Sequence, residues 1–233
     1  MPCTLPASLA DAAVCRGSFH AVLGGEAGEA VFADFSAALQ KAQAEGRILT
    51  ASLFRYGNHL FFYAEGLNRP FTPQGLCPAL DAALLPWPPA LGEAAPRPWA
   101  AMQPYFYHDV PTTAADWQQG RCPQRRRGRI ALLPPDSWCS YMEHHLRIVT
   151  EGLVEGDRWH LICVQEGVLF SYLEEPRTNV NIKHQPGAHS PELDAWIAAD
   201  PESHFARFTP EQKAHPDSSH NFVFLPRIAG TED

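Results

Sequence analysis

The amino-acid sequence predicts an α+β fold made of two tandem copies of one unit, each with the element order β-α-β-β-α-β. Three observations predict it: a repeated strand motif, a helix signal ahead of each copy of the motif, and a glycine-containing turn within each copy. The 233 residues are enough for one large domain or two small ones.

The internal repeat is clearest in one strand motif. Leu60–Glu65, with the sequence LFFYAE, reappears as LFSYLE at Leu169–Glu174, 109 positions later. Without a gap, the same offset aligns three further pairs: Trp87 with Trp196, Phe32 with Tyr141, and residues 21–23 with 130–132. Agreement of separate segments on one offset indicates a duplication.

In the first copy, apolar residues recur at helical spacing from Glu29 to Ala44, and Gly46 provides a C-terminal stop. Gly57-Asn58 permits the positive φ of a tight hairpin turn between strands at 48–56 and 59–65. The remaining elements are expected at three places: a strand at 15–23, a short helix at 78–85 and a strand at 105–110.

The second copy repeats this order. A helix from about Asp136 to Glu151 is predicted because prolines and a capping side chain stand at its start. Further elements are expected at 129–133, 158–164 and 168–174 (strands, with Gly167 at the turn), 191–199 (helix) and 221–228 (strand).

This element order is that of the ferredoxin-like unit, an antiparallel sheet with helices on one face. The two bare sheet faces are expected to pack together as a fused dimeric α/β-barrel, whose interior can hold a ligand. Residues 1–111 form the first ferredoxin-like repeat, with a structural role, and 129–233 form the second, which carries the site. Residues 112–128 are a polar linker in which Arg125–Arg127 is a solvated charge run.

Composition restricts the classes of function. A net charge of -8 without a basic face argues against nucleic-acid binding. No stretch reaches the ~18 to 20 apolar residues that cross a bilayer, and no signal peptide is evident, so a cytoplasmic protein without membrane contact is expected. The cysteines lack disulfide or zinc-knuckle spacing, which favours buried, reduced thiols with a structural role at positions 3, 15, 77, 122, 139 and 163.

Tyr141 and His145 are the main candidates for chemistry. They are four residues apart on the second-copy helix and therefore share one face. An imidazole with a pKa of ~6.5 can give and take a proton at neutral pH. The alternative is that both are half-buried packing residues. No metal motif, phosphate loop or nucleophile elbow is evident, so no metal site is expected.

The stretch 128–208 resembles the L-rhamnose mutarotase family of the dimeric α/β-barrel superfamily. The similarity lies in the Pro135-Asp136 helix start, the Tyr-x-x-x-His helix at 141–145, the hairpin at Gly167 and the acidic second helix from Ser190 to Phe205. The resemblance implies interconversion of sugar anomers without metal or cofactor, in a monomer with an internal pseudo-dimer. Tyr141 would orient the sugar and His145 would move the proton.

The resemblance also implies substrate contacts from His160, Tyr172, His204 and Phe205. His204-Phe205 stands where the family has a pair of tryptophans, which reduces the aromatic platform to one ring. In the first copy, the 109-residue offset puts Phe32 and Ser36 at the Tyr141 and His145 positions, so one site per chain is expected.

Two alternatives remain open from the sequence. One is a non-catalytic, small-molecule-binding protein on the same fold. The other is a monooxygenase-type or haem-handling relative, in which His145 or His160 would be an axial ligand. The fold alone does not distinguish these functions.

Overall fold

A computed structural model describes residues 6–177, 179, 182–213 and 215–231. The chain is a mixed α/β protein that divides into two compact units. The first unit comprises the described parts of Met1–Met102, Pro111–Pro123 and Pro226–Asp233, and the second comprises those of Gln103–Val110 and Gln124–Leu225. Cys3 lies outside the described residues. Cys77 and Cys163 are buried, Cys15 is partly buried, and Cys122 and Cys139 are exposed, so the expectation of buried thiols is wrong for the last two.

The helices and strands of the described residues follow in chain order: β1 (Val14–Val22), α1 (Glu29–Ala44), β2 (Ile48–Tyr56), β3 (His59–Leu67), α2 (Pro78–Ala82), β4 (Ala100–Phe106), α3 (Ala114–Gln118), β5 (Arg125–Leu132), α4 (Pro135–Glu151), β6 (Val154–Glu155), β7 (Leu161–Gln165), β8 (Val168–Glu175), β9 (Lys183–His184), α5 (Pro191–Ala198), β10 (Val223–Leu225) and β11 (Arg227–Gly230). Among these residues, none of the helices combines the length and apolar character that a membrane span requires.

The first unit is an antiparallel sheet covered by α1. Its strand order is β4-β1-β3-β2-β11, where the first residues of β4 pair with β1. Helix α1 buries residues spaced three or four apart, which is the stripe of an amphipathic helix: Phe32, Phe35, Leu39 and Ala42. These side chains belong to the same apolar core as Leu53 and Phe62 of the sheet.

The second unit has an antiparallel sheet of order β10-β5-β8-β7-β4, in which the last residues of β4 pair with β7. Helix α4 begins at Pro135 and ends before Gly152, which adopts the left-handed conformation with φ +69°. Its buried residues are Tyr141, His145 and Ile148, on one side of the helix. The sheet and this side of α4 position the candidate site.

Most predicted elements are confirmed, and the bounds of α1 and β2 are those that the sequence predicts. Two strand predictions are wrong. The strand expected at 105–110 lies at Ala100–Phe106. The strand expected at 221–228 is broken at Pro226 into β10 and β11, because proline has no backbone N–H for a sheet ladder.

The arginine run at 125–127 also differs from the expectation. It lies in strand β5 and is not a solvated run in a linker. Arg127 is buried, and its guanidinium binds Glu175 at 3.1 Å and Asp217 at 2.7 Å. The sequence gives no sign of these ion pairs, because the acidic partners of Arg127 are 48 and 90 residues away along the chain.

A buried carboxylate organises the first unit. Glu65 accepts hydrogen bonds from Tyr63 Oη at 2.6 Å and Trp117 Nε1 at 3.0 Å. The Arg121 guanidinium donates to both carboxylate oxygens, at 2.7 and 3.0 Å. Burial alone would raise the pKa of Glu65, but the charge and hydrogen bonds of Arg121 outweigh it and hold this pKa below its ordinary value.

We expect Glu65→Gln to lower the free energy of unfolding by about 3 kcal/mol, because removing one partner leaves a buried guanidinium without its counter-charge. The matched control is Glu45→Gln, whose carboxylate forms only surface ion pairs with Lys41 and Arg47 and should cost less than about 1 kcal/mol. Urea unfolding at pH 7 measures both. Equal losses in the two variants would contradict the structural role of Glu65.

Candidate functional site

The second unit contains a cavity of about 530 Å³, which we call the second-unit cavity. It lies between helices α4 and α5 and the strands of the second unit's sheet. Its apolar walls are Phe106, Ile162, Leu169, Leu193, Trp196, Phe205 and Phe222. Its polar lining is His108, Arg129, Tyr141, His145, Asp157, His160, Ser171, Arg177 and Glu202.

Helical spacing places Tyr141 and His145 together in this cavity. They are one turn apart on α4, and their ring centroids are 4.2 Å apart. Both are nearly fully buried, with 3% and 4% of their surface exposed. The prediction that these two side chains share one face of the helix is therefore confirmed. Their catalytic role stays a prediction.

The His145 imidazole is held in one tautomer. Its Nδ1 lies 2.9 Å from the carbonyl oxygen of Tyr141. A carbonyl only accepts hydrogen bonds, so the proton must be on Nδ1 and the lone pair on Nε2. Burial lowers the pKa of His145 to about 4, although the bond to the Tyr141 carbonyl acts in the opposite direction. At neutral pH the ring is an uncharged acceptor.

Two phenols flank this imidazole and are themselves neutral. Burial raises the pKa of Tyr141 to about 12 and that of Tyr105 well above its ordinary value of 10. Their ring centroids are 6.0 Å apart. The two hydroxyls are close enough to shift each other's pKa, yet the buried Tyr105 oxygen makes no hydrogen bond of good geometry with the described residues.

Guanidinium groups supply the positive charge of the cavity. Arg129 lies over the Phe222 ring at 4.3 Å, and burial followed by repulsion from Arg177 lowers the Arg129 pKa to about 10. Arg129 therefore stays charged at neutral pH. Arg177 donates from Nε to the buried Asp157 carboxylate at 3.1 Å.

Gly156 allows His108 to reach the cavity wall. A Cβ atom at position 156 would lie 1.7 Å from a His108 ring carbon, so no other residue fits against the ring in this position. Burial lowers the pKa of His108, and the nearby Asp157 opposes that shift.

Of the other four predicted site residues, two line the cavity and two do not. His160 and Phe205 line the cavity. His204 is beside it, with Nε2 3.3 Å from Ser140 Oγ. Tyr172 points to the opposite face of β8 from the cavity-lining Ser171, because side chains alternate along a strand, and its hydroxyl donates to Glu174 at 2.6 Å.

Sequence reasoning missed Phe106, His108, Arg129 and Arg177. They come from segments on either side of α4 in the sequence, and each stands in a stretch with no motif. Arg129 could have been suspected because it is a charged residue at the start of the apolar run 130–133, where a buried strand is expected.

The described side chains offer no cluster for a metal ion and leave little room for a haem bound to His145. No group of three or more His, Cys, Asp or Glu among the described residues could hold a metal ion. The His145 ring is enclosed by Phe106, Tyr105, Tyr141 and Trp196, with centroids 4.2 to 5.7 Å away. A porphyrin coordinated to His145 would have to displace at least one of these rings.

Known proteins resemble the chain only distantly. No protein-family model and no curated protein matches it. A candidate monooxygenase from Lactobacillus acidophilus NCFM has 8% identity, with 94% of this chain and 96% of that chain covered and a TM-score of 0.38. An anthrone oxidase-like protein has 8% identity, 92% coverage of both chains and a TM-score of 0.36.

These findings correct the resemblance drawn from the sequence. Neither structure is described as a mutarotase and no family model supports that assignment, so the assignment to the L-rhamnose mutarotases is wrong. Of the hypotheses from the sequence, the monooxygenase-type alternative shares its wording with the description of the Lactobacillus acidophilus protein. Both TM-scores lie below 0.5, so neither likeness says what this chain does.

The protonation of His145 gives a stability prediction. Its pKa is about 4 in the folded chain and ~6.5 in an unfolded one, so the unfolded state binds the proton more readily. The contribution of neutral His145 to the free energy of unfolding should be fully present above pH 6.5. The free energy of unfolding should then fall by up to ~3 kcal/mol as the pH decreases towards 4.

We expect His145→Phe to remove most of this pH dependence between pH 7 and 5, measured by urea unfolding at closely spaced pH values. His189→Phe is the matched control. The His189 side chain is 75% exposed and its ion pair with Asp194 is at the surface, where such pairs contribute little, so the pH profile of this variant should stay close to that of the wild type. A slope unchanged in His145→Phe would contradict a buried neutral imidazole.

Proposed function

We propose that the second unit binds a flat, mainly apolar aromatic compound in its cavity and oxidises it as a monooxygenase-type enzyme. The observation that carries the proposal is the neutral His145 imidazole, oriented by the Tyr141 carbonyl and surrounded by aromatic walls. An uncharged acceptor in an apolar cavity suits a substrate with a weakly acidic O–H or C–H group.

The walls favour an aromatic ligand. Phe106, Trp196, Phe205 and Phe222 present ring faces and edges to the cavity, and offset or edge-to-face contacts between rings add about 0.5 to 1.5 kcal/mol per pair beyond burial. A volume of about 530 Å³ is in the usual range for a small-molecule site. A bicyclic or tricyclic compound matches this size and lining.

The chemistry proposed for the chain's own residues is proton abstraction. His145 Nε2 takes a proton from an activated methylene or phenol, and the electron-rich anion then reduces dioxygen. For a methylene, one oxygen atom replaces the two hydrogens as a carbonyl and the other leaves as water. For a phenol such as 2-naphthol, one oxygen atom becomes a carbonyl on the neighbouring C–H carbon, the phenol oxygen becomes a second carbonyl, and the hydroxyl and ring hydrogens leave with the other oxygen atom as water. Neither reaction needs an external reductant. The apolar walls limit the entry of water that would otherwise protonate the anion.

A second candidate is a non-catalytic binding protein for the same ligands. The observation that favours it is the His145 pKa of about 4, because a base this weak removes a proton only when the product anion is strongly stabilised. In that case His145 would only accept a hydrogen bond from the ligand.

Tandem duplication, with the site in the second repeat, is part of the proposal. Two features support it. The hairpins share one register, since Tyr56 opposite His59 and Gln165 opposite Val168 are related by the 109-residue offset. A Tyr-to-Glu hydrogen bond of 2.6 Å also recurs at that offset, from Tyr63 to Glu65 and from Tyr172 to Glu174.

In the first unit, the positions that the offset matches to Tyr141 and His145 serve packing. Phe32 is buried in the apolar core, and Ser36 Oγ accepts a hydrogen bond from the Gly230 amide at 3.3 Å. Neither side chain can orient a ligand and accept its proton, which supports one site per chain.

The test is oxygen uptake with anthrone and with 2-naphthol, combined with mass spectrometry of the product formed under ¹⁸O₂. The wild type should consume oxygen and place one labelled atom in the product. His145→Phe should lower the rate by about 10²-fold or more, the range for loss of a general base, and the surface variant His189→Phe should keep it.

Binding of these compounds is measured in parallel by quenching of tryptophan fluorescence. Binding without oxygen uptake would favour the non-catalytic candidate. The absence of both binding and uptake would contradict the proposed function.

A further inference from the structure

The second-unit cavity holds a positive charge that the described protein does not balance. Arg129 lines the cavity, and its Nε is buried without a hydrogen-bond partner. Within the described residues, no carboxylate lies within the 4.0 Å that defines an ion pair with Arg129. A guanidinium keeps its charge at neutral pH, and a desolvated charge without a partner is costly.

The other charged groups of the cavity are engaged elsewhere. Arg177 is paired with Asp157 at 3.1 Å. Glu202 attracts Arg129 from beyond ion-pair distance, but this carboxylate is exposed and accepts a hydrogen bond from Asn221 Nδ2. Solvent weakens an interaction of that kind. Among the described residues that line the cavity, Arg129 is therefore the cation that a ligand can pair with.

The surroundings of Arg129 define the ligand further. The guanidinium lies over the Phe222 ring at 4.3 Å, and Phe222 contacts Phe205 edge to face at 4.9 Å. A planar cation thus adjoins the aromatic wall. The Nε and one Nη of a guanidinium form a fork that matches the two oxygens of a carboxylate.

We propose that the ligand of the second-unit cavity is an aromatic carboxylate whose anionic group pairs with Arg129 while its ring lies against the aromatic wall. This inference rests on the proposed function, since it requires the cavity to bind an aromatic compound. It makes Arg129 a specificity-determining residue that selects acids over neutral compounds of the same shape.

The test compares 2-naphthoate with 2-naphthalenemethanol, which share one ring system and differ in charge. Isothermal titration calorimetry at pH 7 measures both dissociation constants for the full-length wild type, Arg129→Met and the control Arg207→Met, whose exposed side chain lies outside the cavity lining. The wild type should prefer naphthoate by about tenfold or more, and Arg129→Met should lose that preference, as expected for a charge-assisted hydrogen-bonded pair. Arg207→Met should keep it.

The outcomes separate the two proposals. Equal affinities for acid and alcohol in the wild type, or a preference that survives in Arg129→Met, would overturn the inference and leave aromatic binding intact. If neither compound binds the wild type, the proposed function itself fails. Arg129→Lys, which keeps the charge and loses the fork, should retain a reduced preference, and it decides the question if Arg129→Met does not fold.

Discussion

The hydrogen bond from His145 Nδ1 to the Tyr141 carbonyl sets the chemistry of the second-unit cavity. It fixes the tautomer, and burial keeps the ring uncharged, so that Nε2 is an acceptor at neutral pH. The bond joins residues four apart and therefore exists only while α4 is helical around them. Helix α4 in turn depends on the sheet against which it buries Tyr141, His145 and Ile148.

Around this ring, apolar side chains form the walls of the cavity and a few polar groups supply hydrogen bonds and charge. Phe106 and Trp196 pack against His145, with centroids 4.6 and 4.7 Å away, and exclude water from it. Arg129 places a positive charge in the same cavity. Among the described residues, no carboxylate lies at ion-pair distance from this guanidinium. An uncharged base and an unbalanced cation in one apolar space favour a ligand with an aromatic ring and an acidic group.

The sequence predicts the local elements well because their signals are local. Apolar spacing and Gly46 define α1, the proline start defines α4, and the four-residue spacing of Tyr141 and His145 brings these two rings together. The cavity as a whole could not be predicted in this way. Arg129 and His108 reach it from strand β5 and from the segment after β4, and only the sheet register makes them neighbours.

Two expectations drawn from the resemblance differ from the findings, for separate physical reasons. The resemblance implied that Tyr172 contacts the substrate, but strand alternation turns its side chain to the face opposite the cavity-lining Ser171. The mutarotase assignment relied on a Pro-Asp helix start and a glycine hairpin, which many helices and hairpins share because capping and turn geometry require them. The Tyr-x-x-x-His spacing likewise specifies a common helix face and leaves the reaction open.

The central claim, that the second-unit cavity binds an aromatic ligand, is tested most directly by a crystal structure of the protein soaked with a brominated naphthalene. Anomalous scattering from bromine locates the ligand without ambiguity. The account predicts a peak within the cavity, near Trp196 and His145. A peak confined to the first unit or to the outer surface, with the cavity filled by water, would contradict it.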